Sequence, residues 1–154
     1  MTHPLRDLVQ EAFAPLGVLA RATDHFSPRQ GQTDMALAVA DVVAHGGSLV
    51  VEAGTGVGKT FAYLVPALLS GERVLVSTAT KALQDQLYQR DIPKLLEVLG
   101  TTVQVALLKG RSSYLCLNRL GNARLGATFN DPIHLRQLAA IESWALATQS
   151  GDLA

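Results

Sequence analysis

The sequence predicts an α/β fold, a parallel sheet with helices packed on it, arranged around an anion-binding loop. Three observations carry that prediction. Short apolar runs alternate with helix-compatible segments between Ser48 and Leu108, the pattern of strands joined by right-handed crossovers. Between the first run and the helix after it stands Ala53-Gly54-Thr55-Gly56-Val57-Gly58-Lys59-Thr60, a glycine-rich turn of the form A-x-x-x-x-G-K-T. With 48% apolar and 17% charged residues, the 154-residue chain has enough to bury for one domain with a real core.

The elements follow in order. Leu5, Leu8, Val9 and Ala12 recur at helical spacing, and Pro15-Leu16-Gly17 closes that segment. A linker is expected from there to Phe26. Ser27-Pro28-Arg29-Gln30 has the form of a capping box, with Ser at the N-cap, Pro at N1 and Gln at N3. The helix it opens should reach about His45 and stop at Gly46-Gly47, with Met35, Val39, Val42 and Val43 on one apolar face. Ser48–Glu52 reads as a strand and Lys59–Leu69 as a helix. Arg73–Thr78 is a second strand, and Lys81–Gln89 a helix with Leu83 and Leu87 inward. Asp91-Ile92-Pro93 should interrupt it before Lys94–Leu99 continues to Gly100. Thr102–Leu108 is the third strand. Lys109–Cys116 reads as a loop, basic at its start, and Gly121–Pro132 as loose chain. Ile133–Thr148 is a helix expected to face Leu135, Leu138, Ile141 and Ala145 inward. The expected organisation is an N-terminal helix and linker (1–25), a nucleotide-binding portion (26–109) and the start of an insertion (110–154).

The loop carries the chemistry. Its glycines let the backbone curl so that several N–H groups converge on one anion, and the following helix adds its positive end. Lys59 supplies a mobile cation for the β- and γ-phosphates, and the Thr60 hydroxyl can ligate Mg²⁺. The first position is Ala53 rather than glycine. Such loops serve kinases, GTPases, transporters and motor ATPases, so the loop alone does not name a reaction.

Composition narrows the classes. Lys plus Arg equals Asp plus Glu at 13 each, so nucleic-acid binding would need a local patch. Arg111, Arg119, Arg124 and Arg136 are either such a patch or solvated charges. The single cysteine, Cys116, excludes an internal disulfide and points to an intracellular, cytoplasmic setting. The start, Met1 to Phe13, reads as a polar amphipathic helix without a secretory core. The apolar run Phe61–Leu69 is too short for a bilayer and contains Pro66. Histidines 3, 25, 45 and 134 show no metal-ligand spacing.

The flanks of the loop add a resemblance. Phe26-Ser27-Pro28-Arg29-Gln30-Gly31-Gln32 resembles the Q-motif of DNA and RNA helicases. There a glutamine, matching Gln32, reads adenine: an amide can donate to N7 and accept from the N6 amino group together. Val76-Ser77-Thr78-Ala79-Thr80, followed by Leu83-Gln84-Asp85-Gln86-Leu87, resembles helicase motif Ia. Together with Glu52–Thr60 and Lys109-Gly110-Arg111-Ser112-Ser113-Tyr114-Leu115-Cys116, these segments look like the N-terminal portion of a DinG/XPD-type DNA helicase, closest to its YoaA-like bacterial branch.

The resemblance implies a RecA-like P-loop NTPase sheet, the first motor domain of a 5′→3′ ATP-driven DNA helicase. It implies ATP and Mg²⁺ held by residues 53–60, with Gln32 and Arg29 at the adenine. It implies single-stranded DNA against Ser77, Thr78 and Thr80, and no membrane. Cys116 matches the first ligand of the family's [4Fe–4S] insertion. A cluster takes four thiolates, so one is expected only in a complete parent. The resemblance also calls for an Asp-Glu pair after a later strand, and no such dipeptide occurs here. Two rival readings remain: a non-catalytic nucleotide- or partner-binding module, and a P-loop nucleotide kinase. The motif Ia-like segment and Gln32 speak against the kinase.

Overall fold

Helices form the framework that holds the glycine-rich loop. The computed structural model describes residues 4–22, 29–126 and 131–153. The chain divides into two units, Met1–Val105 and Ala106–Ala154.

In the first unit, α1 (Pro4–Ala12) buries Leu5, Val9 and Ala12, while Leu8 stays half exposed. The stripe follows a spacing of three and four. The expected linker is in part helical: α2 (Val18–Arg21) turns back and buries Leu19. Gly17 makes that turn possible. A Cβ there would lie 2.3 Å from the Glu11 carbonyl oxygen and 2.6 Å from that of Ala12. Four residues are too few for a periodicity to reveal.

Helix α3 (Gln30–His45) ends as expected, at Gly46 with φ 77°. Its start differs from the expected capping box. Arg29 is the N-cap, with no side-chain cap bond, and its carbonyl accepts from the backbone N–H groups of Gln32 (2.9 Å) and Thr33 (3.1 Å). Ser27 and Pro28 lie outside the described residues. Met35, Val39, Val42 and Val43 share one apolar face as expected, and Met35 and Val43 pack in part against the core. The fully buried residues of α3 are Gln32, Ala36 and Ala40, at spacing four. Their small size lets α3 pack closely on α4 (Lys59–Leu69). Met35, Val39, Val42 and Val43 also line a groove of about 360 Å³ with Leu49 and Val51. Bulk loses to closeness: a helix can approach a neighbour only where its side chains are short.

Helix α4 has the expected limits. Pro66 sits inside it, buried, at the cost of one backbone hydrogen bond. The core of this unit gathers Leu5, Val9, Phe13 and Leu19 against Ala36, Ala40, Ala62, Val65, Leu68, Leu87 and Leu95. Arg6 on α1 pairs with Asp41 on α3 at its edge.

The expected break near Pro93 does not occur. Helix α5 (Lys81–Gln86) passes through a π-turn, Leu87–Asp91, into α6 (Ile92–Leu99). The Ile92 N–H reaches the Leu87 carbonyl, five residues back. The wider turn accommodates Pro93, which has no N–H to give and whose ring crowds the carbonyl four residues earlier.

The parallel sheet does not assemble among the described residues. The three expected strands, 48–52, 73–78 and 102–108, run without regular secondary structure, and no ladder joins them. Much of their apolar surface is bare: Val50 is 96% exposed and Leu75 90%. Apolar runs specify burial on both faces but not the partner strand, and parallel pairing is the weaker kind per residue. Strands consecutive in sequence need not be neighbours in a sheet.

In the second unit, Arg111–Ser113 forms a 3₁₀ turn, followed by α7 (Leu117–Leu125) and α8 (Pro132–Ala147). Helix α7 occupies the first part of the segment expected to be loose. The one isolated bridge among the described residues pairs Tyr114 with Asp152 in antiparallel fashion. The Leu115 N–H donates to the Gly151 carbonyl (2.8 Å) and that of Leu153 to Ser113 (2.9 Å). Lys109 and Asp152 form an ion pair of 2.7 Å, with the lysine almost wholly buried. Helix α8 buries none of its residues fully. Of its expected inward set, Leu138 and Ile141 line a cavity of this unit, and Leu135 is exposed.

Candidate functional site

The glycine-rich loop delivers Lys59 and Thr60 to the first turn of α4. Gly56 has φ 80° and Gly58 φ 87°. These left-handed values are open to glycine and costly for other residues. Gly58 is the N-cap of α4. It also faces a tight neighbour, because a Cβ there would stand 2.1 Å from Gln32 Nε2. The Lys59 ammonium donates to the carbonyls of Ala53 (2.7 Å) and Gly54 (2.8 Å). Its charge is thereby folded over the mouth of its own loop.

The start of α3 lies against the same loop. Gln32 is 5% exposed. Its Nε2 donates to the Gly58 carbonyl at 2.9 Å. Arg29 Nη1 donates to the Gly56 carbonyl. Gln32 and Arg29, 26 and 27 residues from the glycines they contact, are thus brought together with the loop. The Gln32 contact with Gly58 is not a feature the sequence announces. An adenine-reading amide would be expected at the surface, and this one is buried with one N–H engaged. Its Oε1 and second N–H are the groups suited to a base.

Thr60 is half-buried in the first turn of α4, and Tyr63 follows one turn later. The Tyr63 pKa is raised by burial, with the Thr60 hydroxyl opposing the rise and the Asp91 carboxylate adding to it.

The motif Ia-like residues separate. Ser77 is exposed. The Thr78 hydroxyl is buried with no hydrogen-bond partner. Thr80 is the N-cap of α5, its Oγ1 accepting from the Leu83 N–H at 3.2 Å. Helix capping therefore accounts for Thr80.

These residues fit a nucleotide and Mg²⁺. A hard cation of this kind keeps several waters and leans on substrate phosphates, so one protein hydroxyl is an adequate donor set. The same test fails for an iron–sulfur cluster. Cys116 is exposed at the N-cap of α7. It lines a cavity of about 690 Å³ with Arg111, Arg119 and His134. No other cysteine exists in the chain, and no group of three or more His, Cys, Asp or Glu side chains suited to a metal occurs among the described residues. Purified anaerobically, this chain is expected to carry no stoichiometric iron or sulfide. A brown, cluster-bearing monomer would overturn that expectation.

Among the described residues no helix is long and apolar enough to cross a membrane.

Comparison with known proteins agrees with the loop. Residues 33–136 match the DEAD/DEAH box helicase family. The ATP-dependent DNA helicase YoaA of Escherichia coli (strain K12) is 50% identical over 141 residues, 92% of this chain and 22% of that protein. YoaA of Haemophilus influenzae is 43% identical over 144 residues, 94% of this chain and 22% of its own length. The ATP-dependent helicase DinG of Mycobacterium tuberculosis (strain H37Rv) is 42% identical over 145 residues, 80% of this chain and 22% of its own length. The chain thus spans about a fifth of each of these relatives. From the loop geometry and these matches together, the chain belongs to the DEAD/DEAH box helicase family, in its DinG/YoaA type.

Proposed function

We propose that this sequence is the ATP-binding portion of an ATP-dependent 5′→3′ DNA helicase, serving DNA repair or replication in the cytoplasm. The observation that carries the reading is the convergence of Lys59, Thr60 and Gln32 on one glycine-rich loop. Residues 53–60 hold the phosphates, with Lys59 as the mobile cation and Thr60 on Mg²⁺. Gln32 reads the adenine edge, and Arg29 flanks it. Ser77 and Thr78 are offered to a single-strand phosphate, with Thr80 shaping the helix start beside them. The buried, unpartnered Thr78 hydroxyl supports this, because such a group costs about 1–3 kcal/mol unless something satisfies it.

The extended segments 48–52, 73–78 and 102–108 are proposed as strands of a parallel sheet that other strands complete. Their bare valines and leucines support this, since exposed apolar surface on this scale calls for cover. The portion from 110 onward is proposed as the start of the insertion, with Cys116 one cluster ligand in a complete parent protein. A second reading, a nucleotide-binding module without turnover, is favoured by the lack of any Asp-Glu dipeptide in the chain.

The test is base selectivity. Calorimetric titration with Mg-ATP and Mg-GTP is expected to show a preference for ATP in the unmodified chain. Gln32→Ala should lower that preference about three- to tenfold, the worth of one or two neutral hydrogen bonds. An unchanged ratio would reject the adenine role and leave Gln32 as a strut under Gly58. Anisotropy of a labelled single-stranded oligonucleotide, read with and without nucleotide, tests the DNA face. If the chain binds no nucleotide at all, both readings fall.

A further inference from the structure

We infer that residues 151–153 are a strap that closes one wall of the cavity in the second unit, and that the Lys109–Asp152 ion pair is its latch. The strap fastens the far end of the segment 116–150 to its near end, and it opens and closes as one element.

The strap is short and its backbone contacts are few. The Leu115 N–H donates to the Gly151 carbonyl and the Leu153 N–H to that of Ser113, at 2.8 and 2.9 Å, around the bridge between Tyr114 and Asp152. Two strands of this length are at best marginally stable in water on their own. The helices between them give little support, because neither α7 nor α8 buries a residue fully. Regions held by so few buried contacts open at low free energy. A closed strap therefore needs a fastening beyond its backbone ladder.

The latch supplies it. Lys109 Nζ lies 2.7 Å from Asp152 Oδ2, with side-chain exposures of 6% and 22%. A lysine this deep is tolerated only when paired. Lifting the strap withdraws the carboxylate and leaves the ammonium facing the interior without that counter-charge, so the latch resists opening. It is tied to the cavity wall as well. The Lys109 N–H donates to the Tyr114 hydroxyl at 2.8 Å, and Tyr114, Leu115 and Leu153 line the cavity of about 690 Å³.

The hinge is Gly151, whose φ of 67° is costly for a residue with a Cβ. Its N–H donates to Thr148 Oγ1 at 3.0 Å, and that of Asp152 to Ser150 Oγ at 3.2 Å. These bonds are local to the end of α8 and do not depend on the strap being down. The strap turns about Gly151 and is fastened at Asp152.

The test is hydrogen exchange of the two strap amides, read by NMR on the full chain. In the unmodified protein Leu115 and Leu153 should be protected to the same degree, within about threefold, because one opening event frees both. Asp152→Asn keeps the side-chain shape and removes the charge. It should lower both protections by about ten- to hundredfold, the effect of losing a charge-assisted hydrogen bond, while the amides of α4 keep theirs. Lys109→Met/Asp152→Leu, which removes both charges and keeps apolar bulk, should recover most of the loss. A neutral gadolinium chelate should broaden the methyl signals of Leu138 and Ile141, which line the cavity, more in Asp152→Asn than in the unmodified chain.

Several results would overturn the inference. Unequal or absent protection of Leu115 and Leu153 in the unmodified chain would remove the strap. Full protection in Asp152→Asn would remove the latch. A double variant as open as the single one would do the same, because lost packing rather than an orphaned charge would then be the cause. Lost protection with unchanged methyl broadening would separate the strap from the cavity. Should Asp152→Asn unfold the whole unit, seen as protection lost throughout α8, the unmodified chain decides. There the strap amides must exchange faster than those of α8, and equal rates would mean that the strap does not open by itself.

Discussion

The 154-residue chain is expected to hydrolyse ATP at least about 10³-fold more slowly than the roughly 1 s⁻¹ of a working motor. Binding and hydrolysis make different demands. Binding needs donors for phosphate, which the loop provides through Lys59 and the turn of α4. Hydrolysis also needs a carboxylate to hold the metal shell and orient water, and a cation for charge that develops on the transferred phosphoryl group. An arginine finger alone contributes about 10³–10⁵ in rate in P-loop NTPases. Here no Asp-Glu dipeptide follows any apolar run. Arg29, the guanidinium beside the loop, is committed to the Gly56 carbonyl. A phosphate-release assay, run with and without single-stranded DNA, checks the expectation. DNA-stimulated turnover near 1 s⁻¹ would overturn it, and would show that the chain contains catalytic groups outside the phosphate loop.

The sequence was most legible where one local cause decides the outcome. Helix α4 begins at Lys59 because Gly58 must turn the chain, and α3 ends at His45 because Gly46 takes a positive φ. Both causes are written in a few adjacent residues. The sheet was not legible in the same way. Val50 and Leu75 specify an extended chain that wants cover, but pairing depends on neighbours far away in sequence. Two opposing preferences meet in the helix after Thr80. Pro93 opposes a helix, yet a single π-turn absorbs it and the helix continues.

The site shows the same division. The loop was visible as a pattern. That Gln32 is buried beneath Gly58 was not, because glutamines are mostly exposed and nothing adjacent predicts a contact 26 residues away. The closest contact of α3 has a related cause. Valines and Met35 outrank alanine in apolarity, yet Ala36 and Ala40 are the residues that allow close approach to α4.

Lys59→Ala is expected to weaken ATP binding by about 1.5–3 kcal/mol, or roughly ten- to 150-fold, with little change in folding stability. The structure explains why the effect separates in this way. In the present arrangement Nζ donates to the Ala53 and Gly54 carbonyls at 2.7 and 2.8 Å. A phosphate must draw the ammonium off those two oxygens, so the net gain is an exchange of neutral acceptors for a charged one. That exchange places the figure in the range of a charge-assisted hydrogen bond rather than in the larger range of a bare ion pair. Truncation without ligand frees two carbonyls, and Gly54 is exposed enough for water to replace the lysine there. The melting temperature should therefore shift by less than about 0.5 kcal/mol would cause. The two measurements distinguish the roles of the residue. Equal ATP affinity for the two proteins by calorimetry would rule out Lys59 as the phosphate cation. A large fall in melting temperature with unchanged affinity would make it a brace of the empty loop instead.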